Sequence, residues 1–101
     1  MTVYNVVFHA DTEGDYNEAY QWYEDQKTGL GDDFLSVINS RIKQIQNNPE
    51  IFGAKYKTGY HEAMVKKFPY AIVYRIYKKQ RIVFITSIHH QKSNPGKKYR
   101  K

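Results

Sequence analysis

The stretch from Val65 to His90 holds the densest apolar sequence in the chain, and it constrains what the remainder can be. Two runs rich in β-branched and aromatic residues, Ala71 to Tyr77 and Ile82 to Ile88, flank the polar Lys78-Lys79-Gln80-Arg81. That spacing predicts a β-hairpin with a short loop. In the first run Ile72, Tyr74 and Ile76 alternate with Ala71, Val73, Arg75 and Tyr77, so one face is core and the other is partly wet. The second run is apolar at Ile82-Val83-Phe84-Ile85, which suits a central strand covered on both sides. Pro69 cannot donate to a ladder and is expected to end the strand before it.

The hairpin needs a layer to cover its apolar face, and the preceding chain provides one. Val3 to Phe8 predicts a short first strand with Tyr4, Val6 and Phe8 on one face. Asp11 or Thr12 is placed to cap a helix of about residues 11 to 28, whose stripe is Tyr16, Ala19, Tyr20 and Tyr23, with Trp22 at its margin. Gly29-Leu30-Gly31 reverses the chain, and Asp32 and Asp33 open a second helix to about residue 47. Its stripe is Phe34, Leu35, Ile38, Ile42 and Ile45, and Asn47-Asn48-Pro49 stops it. Ile51 and Phe52 are expected to plug the space under the basic turn Ala54 to Gly59, and His61 to Phe68 to form the next strand. The fold expected is therefore α+β: a helical hairpin on a mostly antiparallel four-stranded sheet, in the order β-α-α-β-β-β.

With 101 residues the chain suits one domain, with a basic C-terminal tail at about 93–101. It has no cysteine, no signal-like N-terminus and no apolar run approaching a membrane span, so a soluble protein of the reducing cytoplasm, with no membrane partner, is expected. The net charge of +6 is uneven: residues 1–53 carry a net −6 and residues 54–101 a net +12, Glu62 being the only acid in the latter. A surface of one sign calls for a polyanionic partner, either nucleic acid or an acidic protein segment.

Several of these segments resemble, in their order, the RelE/ParE superfamily of toxins from bacterial type II toxin-antitoxin systems, often labelled plasmid-stabilisation proteins. The resemblance is carried by Trp22-Tyr23-Glu24, Gly29-Leu30-Gly31 with Phe34, and Asn48-Pro49 with Phe52. It continues through Phe68-Pro69-Tyr70 with Val73-Tyr74, and Ile88-His89 with Pro95 and Arg100. It implies the same β-α-α-β-β-β layer pair, and a toxin neutralised by a cognate antitoxin whose C-terminal segment wraps it. Two activities divide that superfamily. The ParE-like branch inhibits DNA gyrase by binding, and the RelE-like branch is a metal-independent endoribonuclease acting on mRNA at the ribosome.

A metal-free ribonuclease needs cations for a phosphorane and a group titrating near neutrality. Lys55, Lys57, Arg75 and His90 are the candidates, with Lys55 and Lys57 matching the superfamily's Lys-x-Lys; as residues alone they also read as exposed turn lysines. One departure favours the ParE-like branch: the position before Ile72-Val73-Tyr74, an arginine in the ribonuclease branch, is Ala71. Arg75 stands on the same face about 13 Å further along the strand. For antitoxin or target binding the candidates are Lys66, Lys67, Arg75, His89, Lys97, Lys98, Tyr99 and Arg100. No cofactor or metal is expected, because His89 and His90, adjacent on a strand, point to opposite faces. Trp22 and the helical tyrosines are expected to serve packing. A plain nucleic-acid-binding module would share the basic half but leave the resemblance unexplained.

Overall fold

The computed structural model describes residues 3–53, 59–93 and 98–100. The elements are β1 (Asn5–Phe8), α1 (Thr12–Gln26), α2 (Leu30–Asn47), a 3-10 turn (Pro49–Ile51), β2 (His61–Met64), β3 (Tyr70–Tyr77) and β4 (Ile82–His90). The sheet order is β1-β4-β3-β2, with β1 parallel to β4 and the other two pairings antiparallel. The expected fold class holds, and the hairpin strand richest in consecutive apolar residues does take a central place.

Both helices lie on one face of the sheet. Ala19, Tyr23, Phe34, Ile38 and Ile45 pack there against Ile72, Tyr74, Val83, Ile85 and Ile88. Tyr23 sits at the centre of an aromatic cluster, its ring 5.4 Å from Phe34 and 4.8 Å from Phe68. Tyr74 is fully buried; its hydroxyl donates to Pro49 O at 2.6 Å, and burial pushes its pKa up. Tyr16, Tyr20, Leu35 and Ile42 form the half-buried margin of the stripes. Trp22 lies beyond that margin at 58% exposure.

The joint between the helices explains two of the sequence motifs at once. Gly29 adopts φ +91°, the left-handed conformation glycine tolerates best, and precedes α2. The Glu24 carboxylate of α1 accepts from the Gly29 N–H at 2.9 Å and the Gly31 N–H at 3.0 Å, so one helix caps the other. Gly31 is required by close approach: a Cβ there would stand 2.8 Å from Tyr20 O.

Five expectations are corrected. No side chain caps α1: Asp11 is helical, and Thr12, buried, turns its hydroxyl to Ile85 O at 3.3 Å. Phe8, at the end of the sheet's edge strand β1, is 49% exposed, whereas Tyr4 and Val6 pack against the core. The strand expected from His61 to Phe68 ends at Met64, since the chain turns through Lys67 at φ 71° before Pro69. Ile51 is exposed rather than a plug, while Phe52 packs on the core beneath the Arg41 guanidinium, 5.2 Å from its ring centre. Finally, Lys98, Tyr99 and Arg100 are not a free cationic tail but lie packed against the sheet.

Candidate functional site

The face of the sheet away from the helices is shaped by one irregularity. The β3–β4 register passes from Val73↔Ser87 to Tyr74↔Ile85, leaving Thr86 as an extra residue in β4. Such a bulge shifts the alternation of side chains. Val83 and Ile85 face the core before it and Ile88 after it, while the adjacent Thr86 and Ser87 both bring hydroxyls to the outer face. There they meet one acceptor, the Lys98 carbonyl, at 3.3 and 2.9 Å.

Residues 98–100 are thereby strapped over this face, covering Ala71 and Val73, which are fully buried. Lys98 Nζ pairs with Glu62 at 2.8 Å, and the Tyr99 hydroxyl donates to the same carboxylate at 2.6 Å. Burial, and then the Glu62 contact, push the Tyr99 pKa up to about 12. The Tyr60 hydroxyl donates to Arg100 O at 3.0 Å. Arg100 reaches round the strand to Asp15 of α1 in a bidentate pair of 2.6 and 2.9 Å, and also donates to Thr86 O at 3.3 Å. Asp15 Oδ2, which accepts from Arg100 Nη1, also accepts from the Ile88 N–H at 3.2 Å.

Asp15 and Arg100 meet where β4 outruns its neighbour. β1 pairs only with Ile82–Ile85, so the rest of β4 presents a free edge toward α1. Between that edge and α1 lies a cleft of about 570 Å³ whose walls include Asp15, Glu18, Trp22, Tyr70 and His90.

The expected site residues fall into three groups. Arg75, His89, Lys98, Tyr99 and Arg100 are brought together on or beside the strapped face. The Arg75 guanidinium lies 5.0 Å from the Tyr60 ring centre and 5.8 Å from that of Tyr77. His89 is buried, and its pKa is lowered, first by desolvation and then by Lys98. Lys66 and Lys67 stand exposed in the β2–β3 turn, apart from that group. His90 faces the other way, edge-on to Tyr70 at 5.0 Å, with Nδ1 accepting from the Lys92 N–H. Lys55, Lys57 and Lys97, with the basic turn at 54–58, lie outside the described residues. The sequence reading missed Tyr60, Glu62, Thr86, Ser87 and Asp15 as parts of this arrangement; a lone acid in a strongly basic half was the one available sign, and it pointed to Glu62. Among the described residues no three His, Cys, Asp or Glu side chains are grouped to hold a metal ion, and no helix is long and apolar enough to cross a membrane.

Residues 6–95 match the family described as the ParE toxin of type II toxin-antitoxin system, parDE. No curated protein sequence matches significantly. Among solved structures, the chromosomal ParDE toxin-antitoxin system of Pseudomonas aeruginosa aligns with a TM-score of 0.74 at 14% identity, covering 87% of this chain and 96% of that one. The RelBE2 toxin-antitoxin complex of Mycobacterium tuberculosis gives 0.67 at 18% identity over 92% and 97%. The intact Escherichia coli RelBE complex gives 0.68 at 13% identity over 89% and 99%. These likenesses are of fold.

Proposed function

Because the chain belongs to the ParE toxin family of type II toxin-antitoxin systems, we propose that it is a growth-inhibiting toxin neutralised by a cognate antitoxin, and that it acts on DNA gyrase by binding rather than by cutting RNA. The observation that carries this reading is the commitment of the strapped face's polar groups to internal partners. Lys98 is spent on Glu62, Arg100 on Asp15, and Arg75 on the rings of Tyr60 and Tyr77. A phosphorane needs cations that are free to gather on it as charge develops, and a nearby acid or base poised near neutrality. His89 is held neutral by burial, and His90 looks to the opposite side of the sheet.

Cations that remain exposed, Lys66, Lys67, Lys79 and Lys92, sit in turns around the sheet, where an acidic antitoxin segment can reach them. Such a partner should associate quickly and in a salt-sensitive manner.

Two assays on the purified toxin test the reading: gyrase supercoiling with detection of trapped DNA breaks, and cleavage of ribosome-bound mRNA. We expect gyrase inhibition and intact mRNA. Codon-register cleavage that disappears in Lys57→Ala or His90→Ala would overturn it and assign the RelE-like ribonuclease activity.

A further inference from the structure

We infer that the cleft between α1 and the free edge of β4 recognises a basic side chain, arginine above all, carried by an extended segment of a partner protein. The inference does not depend on the target proposed above.

The cleft already holds one guanidinium. Asp15 binds that of Arg100 through both carboxylate oxygens. Glu18, one helical turn along the same face of α1, lines the same cleft and takes no hydrogen bond or ion pair among the described residues. One more turn along stands Trp22, 58% exposed, its indole edge-on to Tyr23 at 5.1 Å. Tyr70 forms the facing wall, its ring 6.1 Å from Tyr23. A carboxylate beside an exposed indole is the combination that binds a flat, delocalised cation, through a charge-assisted pair and a cation–π contact together.

The local field agrees with that assignment. The Tyr70 hydroxyl is pushed up to about 12, chiefly by burial and further by Tyr23, Glu18 and Asp15. In a chain of net charge +6 this is a patch of opposite sign, so it selects a partner segment unlike the acidic one the turn lysines attract. The strand edge supplies the rest. Gln91 N–H donates to Pro69 O, so by antiparallel alternation Ile88 and His90 turn their backbone groups away from β3. The Ile88 N–H is taken by Asp15, which leaves the Ile88 carbonyl and the His90 N–H facing the cleft, where an extended backbone can pair with them.

Trp22 is the chain's only tryptophan, so its fluorescence reads this cleft alone. Titrating the intact toxin with the capped tripeptide Val-Arg-Val should shift the emission saturably. The same peptide with norleucine in place of arginine should bind at least five times more weakly, and that with glutamate not at all. Glu18→Gln, an exposed and nearly isosteric change, should leave the circular dichroism unaltered and weaken the arginine peptide at least fivefold. A norleucine peptide that binds as well as the arginine one, affinity untouched by Glu18→Gln, or no saturable shift with the arginine peptide would each overturn the inference.

Discussion

The two faces of the sheet are held by different physics. On the helix side, Phe34, Ile38, Ile45, Ile72, Val83 and Ile85 are fully buried, and the binding of one layer to the other is dispersion and water exclusion. On the strapped side the contacts include two ion pairs, two hydroxyls on one carbonyl and a phenol on a carboxylate. Apolar burial is non-directional and is not weakened by ionic screening, whereas the strap depends on groups that water and ions compete for. The comparison teaches where the molecule is expected to yield first: the helix side defines the fold, and the strapped side rests on contacts that can be broken one at a time.

Four expected outcomes sharpen or break that contrast. The largest is Ile38→Ala, which removes a fully buried side chain and should cost about 2 to 5 kcal/mol in denaturant unfolding. Ile42→Ala, only half-buried, should cost less than Ile38→Ala. Next, Gly31→Ala sets a methyl 2.8 Å from a backbone oxygen and should cost about 1 to 3 kcal/mol by forcing α1 and α2 apart. Third, Arg100→Met, which leaves a partly buried Asp15 unpaired, should cost about 1 to 3 kcal/mol in global stability. Hydrogen exchange at the Ile88 amide and at residues 98–100 should nonetheless rise clearly. If Arg100→Met were as damaging as Ile38→Ala, the distinction between the faces would fail.

The smallest effect is one of pH. The His89 pKa is depressed in the fold, so the unfolded chain binds the proton more readily, and the associated stability is present above the unfolded value of about 6.5. It should be lost as pH falls from there toward the folded pKa. The decline should be absent in a His89→Gln variant, measured by thermal unfolding in steps between pH 7 and pH 5. Glu50, whose pKa is lowered by Lys78, titrates further down, below about 4.5, and does not obscure that window.

This contrast also marks how far the sequence could be read. Tyr23, Phe34, Ile38, Ile45, Ile72 and Tyr74 are legible because a 3.6-residue or two-residue period in apolar side chains is a local signal, independent of where the element packs. Phe8 satisfies the two-residue period and ends up exposed, because which strand takes the edge of a sheet is decided by strand order, which no period encodes. The bulge at Thr86 is silent in sequence for a similar reason: Thr-Ser within a strand looks like a polar pause, and only the register against Val73 and Tyr74 reveals the extra residue. The strap was misread as a solvated tail because Lys98 and Arg100 find their carboxylates in β2 and α1, elements remote in sequence. Charge pairing across such distances leaves little mark on local composition, the lone Glu62 of the basic half aside.

The parallel pairing of β1 with β4 bears on how the chain is made. Asn5–Phe8 can find Ile82–Ile85 only after nearly all of the intervening sequence exists, and Arg100 closes on Asp15 across 85 residues. The helical hairpin, whose contacts are local, forms early, while the sheet waits for loop closures that are costly in entropy and slow. On the ribosome, therefore, the chain emerges as a helical pair with an unpaired first strand, and its fourth strand and strap join later. A binding surface built from the fourth strand and residues 98–100 therefore comes into being after the helical pair and not with it.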